Sequence, residues 1–351
     1  MDFEDVAVED TAVGDADSGD PDTPSTRSWG RARRALRAAG VPPGRLARLR
    51  ALGGGTYNSV EELRLADGTR YVLKVPPAPT APGLRYERDL LVGEAEFCRR
   101  AGRAGVPAPR VVAEGEEAGR RHLLMTACPG EPWGASVTDA EAAHLCARLG
   151  GQVARLHQVT GPGFGYPSGA LGPLAPDWRT AFTAMYAAVL DDARRYGARL
   201  PRPVDEIART AGSAYEALDE VAVPRLVHFD LWPGNILVDR SQDGVRIGGL
   251  IDGERMFWGD PAADFVSLAL LGDIREDRAF LAGYRAAGGR AEFGRTARLR
   301  LALYRSYLYL IMLTEAIPRA LGQEHERWVR AHVAPELSAA LEEITRLTVT
   351  S

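Results

Sequence analysis

The sequence predicts an α+β chain of two lobes, a small one of five antiparallel strands with one helix and a larger, mainly α-helical one. Three observations carry this. Strand-like runs with Asp-Gly turns crowd into the first third, segments of helical apolar periodicity fill the rest, and the Pro/Gly-rich "CPGEPWG" stands between them. With 351 residues and 45% hydrophobic content, the chain can furnish a core for both lobes.

Residues 1–26 carry nine acids and no Lys or Arg, spaced by Gly, Ser, Thr and Pro, which is the composition of a disordered, solvated tail. Without them the formal charge of −4 turns mildly positive. That suits an anionic ligand but is too dispersed for nucleic acid. "RSWGRARRALRAAG" reads as a short amphipathic helix ended by Gly40 and Pro42-Pro43. The strands "RLRALGG", "SVEELRLA" and "RYVLKV" follow, the last two joined by Asp67-Gly68, a hairpin signal. A Pro-rich loop leads to a helix expected from Glu87 to Ala104, and "VPAPRVVAE" and "RHLLMTA" complete the sheet. The small lobe is thus 27–127 and the second lobe 128–351.

Helical periodicity places helices at 138–159, 177–198, 203–220, 292–316 and 323–346. Among them lies one β insertion, "NILVD" and "VRIGGLID", joined by "RSQDG". A hairpin there returns Asn235 and Asp252 to the same edge. No apolar run approaches the ~18–20 residues of a membrane span, and the N-terminus is acidic, so the expected location is the cytoplasm. Cys98, Cys128 and Cys146 are odd in number and widely spaced, which argues for reduced thiols over a disulfide framework or zinc site.

Among 43 basic residues Lys74 is the single lysine, and Asn58 and Asn235 are the only asparagines. A bias that has nearly emptied the chain of two residue types leaves them where a substitute fails. Lys74 lies within an apolar strand and needs an anionic partner. Glu94 shares the apolar stripe Leu90, Phe97, Cys98 and Ala101 of the following helix and is the economical partner; Glu87, on nearly the same face, competes, and Glu96 points elsewhere. "GGGTYNS", with Gly54, Gly55, Thr56 and Asn58, can bring backbone amides close to phosphates, with Asn58 tolerating positive φ in the place of a glycine. In "VHFDLWPGN", Pro233-Gly234 forbids a helix, so a loop carries Asp230 and Asn235 toward Asp252. Hard oxygen ligands of this kind suit Mg²⁺ with phosphate oxygens. A lysine behind a Gly-rich turn on another lobe completes the parts of phosphoryl transfer.

From about residue 45 to 345 the chain resembles the protein-kinase-like superfamily, and within it the aminoglycoside phosphotransferase family. The resemblance rests on "LGGGTYNSV", "YVLKV", "GEAEFCRRAGRAGVPAPRV", "LLMTACPGEPW", "LVHFDLWPGNILVD" and "GLIDGERMFWGDPAADF". It implies a bilobal protein-kinase-like fold that binds ATP or GTP with Mg²⁺ between the lobes and phosphorylates a hydroxyl of a small molecule. By position it implies that Lys74 holds phosphates, Glu94 fixes Lys74, Asp230 accepts the hydroxyl proton, and Asn235 and Asp252 bind metal. The backbone from Met125 through Thr126 to Cys128 would bind the base, His228 and Asp264 would brace the loop, and Glu254 would touch metal or face solvent.

In two places the chain departs from the family pattern or leaves the subfamily open. Phe229 replaces the usual glycine between His228 and Asp230, and "DLWPGN" with Trp232 is similar to fructosamine-kinase-like members. Only seven residues separate Asp252 from Asp260-Pro261, too few for the activation segment of a protein kinase. The expected acceptor is a hydroxylated antibiotic, an aminoglycoside or another natural product, with a fructosamine or other metabolite as the alternative. A non-catalytic nucleotide-binding protein on the same fold is the rival of another class. Asp191, Asp192 and Glu315 read equally as acceptor-site acids or solvated helix faces, and Trp232, Phe257 and Trp258 as stacking surface or core.

Overall fold

The computed structural model describes residues 24–53, 57–117, 119–134, 137–241 and 244–349. Nearly all of the acidic tail, and Gly54, Gly55 and Thr56 of the Gly-rich turn, lie outside them. Strands β1 (Leu46–Ala51), β2 (Ser59–Leu65), β3 (Arg70–Val75), β4 (Val111–Glu117) and β5 (Arg120–Thr126) form an antiparallel sheet in the order β1-β2-β3-β5-β4. Strand alternation sorts its two faces. Leu63, Leu73 and Val75 face α1 (Thr26–Ala38), which covers the sheet with Ala32, Ala35 and Leu36 and is capped by Ser25. Lys74 takes the opposite face, toward α2 (Leu90–Arg103).

The helix expected from Glu87 begins three residues later, because Asp89 has a φ of 59° and breaks it from the single turn Arg85–Glu87. Glu87 is thereby turned away from Lys74.

The second lobe opens with β6 (Glu131–Pro132) and α3 (Asp139–Leu156), whose start is a capping box between Thr138 and Glu141. Helices α4 (Trp178–Tyr196) and α5 (Val204–Gly212) follow; the expected 203–220 helix stops at Gly212 and yields a separate 3₁₀ turn, Tyr215–Glu220. Strands β7 (Arg225–Val227) and β10 (Phe257–Gly259) pair and bracket the hairpin of β8 (Ile236–Ser241) and β9 (Gly244–Leu250). Beyond them lie α6 (Asp264–Leu268), α7 (Arg278–Ala286), α8 (Arg295–Glu315), α9 (Gly322–Trp328) and α10 (Ala334–Val349). A π-helical turn, Val329–Val333, interrupts what reads in sequence as one helix over 323–346.

Helix α8 is buried around most of its circumference from Leu299 onward and runs through the core. Helices α3 and α7 cross at glycines: a Cβ on Gly150 would lie 2.2 Å from the Phe280 carbonyl oxygen, and one on Gly283 would lie 1.9 Å from that of Ala147. Among the described residues no helix is long and apolar enough to cross a membrane. The three cysteines are free thiols.

Candidate active site

The hairpin β8–β9 does what its two polar ends require. Ile236 pairs with Leu250 and the Ile251 amide donates to the Asn235 carbonyl (3.0 Å), so the catalytic-type loop 228–235 and the turn at Asp252 lie side by side. Asp264 accepts hydrogen bonds from the amides of His228 (3.1 Å) and Phe229 (2.6 Å), while Ser267 Oγ receives the amide of Leu231 (3.1 Å). Behind Asp264 stand His157 Nε2 (2.9 Å) and, beyond it, the Tyr284 hydroxyl (2.7 Å). Asp264 is fully buried, so it braces the loop and cannot reach a ligand in the cleft.

His228 braces as well. Its Nε2 is 3.0 Å from the Ile251 carbonyl and its Nδ1 accepts from the Asp230 amide (3.2 Å), which fixes a neutral tautomer. Burial pushes its pKa below the ordinary value, against the pull of Asp264 and Asp230. Phe229 adopts a φ of 64°, the conformation a glycine would supply, while its ring fills the core against Phe257 (5.0 Å) and Tyr307 (5.7 Å). The substitution thus keeps the backbone of the loop and adds packing behind it.

Asp230 is oriented by Asn235, whose Nδ2 donates to its carbonyl oxygen (2.8 Å) and its Oδ2 (3.2 Å). The side-chain oxygen of Asn235 is the atom that a metal would use. Burial lifts the Asp230 carboxyl above its ordinary range, opposed by Arg255, whose Nε is 3.8 Å from Oδ2.

Across the cleft the Lys74 ammonium is buried among three carboxylates. It meets Glu94 at 2.8 Å, hydrogen-bonds Asp252, and is 3.5 Å from Glu254. Of the two candidate partners, therefore, Glu94 is the one that Lys74 meets. Glu87 instead pairs with Arg319, 232 residues away. Burial works against the charge on Lys74, but the carboxylates outweigh it and hold its pKa well above the usual value. Burial pushes Glu94 up to about 7, and burial with Asp252 repulsion pushes Glu254 up to about 8. Asp252 goes the other way, because Lys74 outweighs its burial.

Oxygens of Glu94, Asp252 and Glu254 come within 4.8 Å of one another. Hard oxygens from Asp252, Glu254 and Asn235 fit Mg²⁺, and an ammonium beside them fits a phosphate. Glu254, rather than facing solvent, is buried and accepts a hydrogen bond from Asn58. Asn58 does not serve through positive φ: among the described residues other than glycine, that conformation occurs at Asp89, Phe229, Asp252, Leu271 and Ala320. Its worth lies in the side chain, which ties the end of the Gly-rich turn to Glu254.

Thr126 and Cys128 lie on the link between the lobes. Here the Thr126 amide donates to the Arg110 carbonyl (2.9 Å), the Thr126 hydroxyl accepts from the Arg110 amide (3.0 Å), and the Cys128 carbonyl accepts from the Arg70 guanidinium (3.1 Å).

Sequence reasoning missed the ionic chain that leaves Asp230. Arg255 holds Glu315 at 2.9 and 3.1 Å, Glu315 meets Arg319 at 3.1 Å, and Arg319 meets Glu87; Glu87, Arg255 and Glu315 are buried and the Arg319 side chain is nearly so. The Glu315–Arg319 spacing of four residues at the end of α8 was the available signal. Asp192 is likewise buried, while Asp191 lies exposed on the helix face, the second of its two readings. Phe257 and Trp258 are core, with relative exposures of 0% and 1%.

This arrangement has relatives. Residues 48–304 match the phosphotransferase enzyme family. No curated protein matches the sequence. Among solved structures, a putative fructosamine-3-kinase from Thermobifida fusca superposes with a TM-score of 0.63 at 24% identity, over 92% of this chain and 99% of its own. A macrolide 2′-phosphotransferase from Brachybacterium faecium gives 0.56 at 21% identity, over 87% and 98%. The type VIII aminoglycoside-3′-phosphotransferase gives 0.56 at 22%, over 81% and 98%. At such identities these structures speak for the protein-kinase-like bilobal fold. The match over most of its length adds the chemistry: the chain belongs to the phosphotransferase enzyme family and is a small-molecule phosphotransferase.

Proposed function

We propose that the protein moves the γ-phosphoryl group of ATP or GTP to a hydroxyl of a small natural product or sugar-bearing metabolite, in the cytoplasm. The observation that carries this is the facing of Asp230, oriented by Asn235, with Lys74 clamped between Glu94 and Asp252. Lys74 takes the phosphates as a compact charge, and Glu94 holds it in place. Asn235 and Asp252, with Glu254 beside them, hold Mg²⁺, which supplies neutralisation of charge developing on the phosphoryl oxygens. Asp230 orients the acceptor hydroxyl and takes its proton. Asn58, which closes the Gly-rich segment, holds Glu254 at the phosphate end of the cleft, and backbone near Thr126 and Cys128 receives the base.

An antibiotic acceptor accords with the macrolide and aminoglycoside phosphotransferases named above; a fructosamine-type acceptor accords with Trp232 of "DLWPGN" and with the Thermobifida fusca structure. The test is a mass-shift screen of antibiotics, nucleosides and glycated amines with both nucleotides, run beside Asp230→Asn. That variant is expected to lose on the order of 10²–10⁴-fold in turnover while nucleotide affinity stays within severalfold. Turnover within tenfold of the wild type would refute the assigned role.

A further inference from the structure

The single turn Gly253–Arg255 follows Asp252 and brings a guanidinium to the catalytic loop. Arg255 uses one of its three nitrogens on the protein: Nη2 donates to both carboxylate oxygens of Glu315, at 3.1 and 2.9 Å. Glu315 is also met by Arg319 (3.1 Å), so the guanidinium is fixed by its far end. Its Nε comes to 3.8 Å from Asp230 Oδ2, an ion pair but too long for a hydrogen bond. Among the described residues nothing accepts from Nε or Nη1.

Asp230 stands in a matching state. Oδ2 takes the Asn235 amide at 3.2 Å, while among the described residues nothing donates to Oδ1. The Arg255 and Asp230 side chains keep 11% and 22% of their surface open. Guanidinium nitrogens that are buried without a partner occur at Arg31, Arg298 and Arg319, and Arg255 is not among them. Unmet donors of Arg255 and an unmet oxygen of Asp230 therefore lie side by side where water reaches them. A ligand that displaces this water must put an acceptor atom in its place, or leave a charged donor unpaired.

We propose that Arg255 reads the atom next to the reacting hydroxyl: the acceptor carries an oxygen on the carbon adjoining the phosphorylated one, as in a vicinal diol or a hydroxy ketone, and no ammonium there. This rests on the phosphotransferase reading above. With one hydroxyl on Asp230, the neighbouring oxygen of a gauche diol stands about a hydrogen-bond length further on, within reach of Nε or Nη1. The 3.8 Å between Oδ2 and Nε lets two such oxygens bridge the pair. An ammonium has no lone pair to offer and meets like charge, and a methylene leaves the donors bare.

The acceptor comes from the mass-shift screen above, and phosphorus–proton NMR of the product locates its phosphate. The hydroxyl so marked should have an oxygen on an adjoining carbon. Replacing that oxygen by hydrogen should lower kcat/KM roughly 10- to 100-fold, the worth of a hydrogen bond to a charged group, and replacing it by an amine should cost at least as much at neutral pH. Uridine with its 2′-deoxy and 2′-amino forms, and kanamycin A with kanamycin B, are ready-made sets for the screen. Arg255→Met should narrow the oxygen-to-hydrogen ratio to within about threefold. Arg255→Lys, which keeps a cation against Glu315 but offers one nitrogen, should narrow it in part. Both acceptors are measured on one preparation, so the ratio does not depend on how much of a variant is folded. A phosphate on a hydroxyl without an adjoining oxygen, or an undiminished ratio in both variants, would overturn the inference and leave the phosphotransferase reading standing. Transfer to no compound would instead defeat that reading, and this inference with it.

Discussion

At Phe229 two opposing effects meet on one residue. A left-handed backbone costs a non-glycine residue roughly 1–2 kcal/mol, while truncating a buried Phe costs about 3–5 kcal/mol. Phe229→Gly should therefore relax the loop and lose packing, for a net fall of about 2–3 kcal/mol in unfolding free energy by urea denaturation. Turnover should stay within severalfold, since glycine holds the same φ. A variant as stable as the wild type would show that the ring contributes little. Lys74→Arg should fare worse in activity, falling on the order of 10–100-fold in kcat/KM, because a planar fork cannot meet Glu94, Asp252 and a phosphate from one point. At this scale the sequence was legible where a residue was rare: Lys74, Asn58 and Asn235 all fall in the cleft. It was illegible where a charge has a partner far along the chain. The spacing of Glu315 to Arg319 does not by itself tell it from Asp191, which has Arg195 at the same spacing, and Arg255, 60 residues away, decides it.

Among elements, α2 sets the clamp through a glycine. A Cβ on Gly93 would lie 2.9 Å from the Glu254 carbonyl oxygen, so the helix rests directly on the turn that follows Asp252. Gly93→Ala should push α2 outward at a cost of ~1–3 kcal/mol and draw Glu94 off Lys74. The expected result is a loss of kcat out of proportion to the change in Tm; equal activity would show that the turn yields instead. The start of α3 offers a test by pH. Glu141, bonded to Arg240 and to Thr138, is held down to about 2 from 4.5. A depressed carboxyl stabilises the fold above its unfolded value and loses that contribution as pH falls from about 4.5 to about 2. Glu141→Gln should therefore be less stable than the wild type near neutrality, and the difference should shrink toward pH 2–3 in denaturation midpoints. The same scale shows the limits of periodicity. It located α3, α4 and α8 closely, but it ran α5 into a 3₁₀ turn and α9 into α10, because 3₁₀ and π turns keep nearly the same apolar stripe.

At the scale of the whole molecule, the described residues form two cores. The larger runs through the second lobe and the inner face of the sheet, including Leu123 and Met125, and so is shared between the lobes. The smaller lies under α1. Removing the chain through Ala38 should uncover Leu63, Leu73 and Val75 and strand buried Glu61 without Arg31, its partner at 2.8 Å. Losing the burial of Leu36 alone is worth ~2–3 kcal/mol, so Tm should fall by several degrees. Removal of residues 1–23 should leave it almost unchanged. The two-lobe plan was visible in the change from strand to helix periodicity, whereas the docking of 83–87 on the second lobe was not, since its partners Tyr196 and Asp192 are more than a hundred positions away.

The tethering of His228 by both ring nitrogens has a stereochemical consequence. An imidazole that donates from one nitrogen and accepts at the other has no lone pair to offer phosphorus, so no phosphohistidine forms beside Asp230. With His228 closed to phosphorus, the expected course is a single in-line displacement within a ternary complex of protein, nucleotide and acceptor. A γ-phosphate made chiral with oxygen isotopes should arrive inverted on the product, and initial-rate lines for the two substrates should intersect. Retention with parallel lines would require a covalent phosphoenzyme, and with it a different role for Asp230.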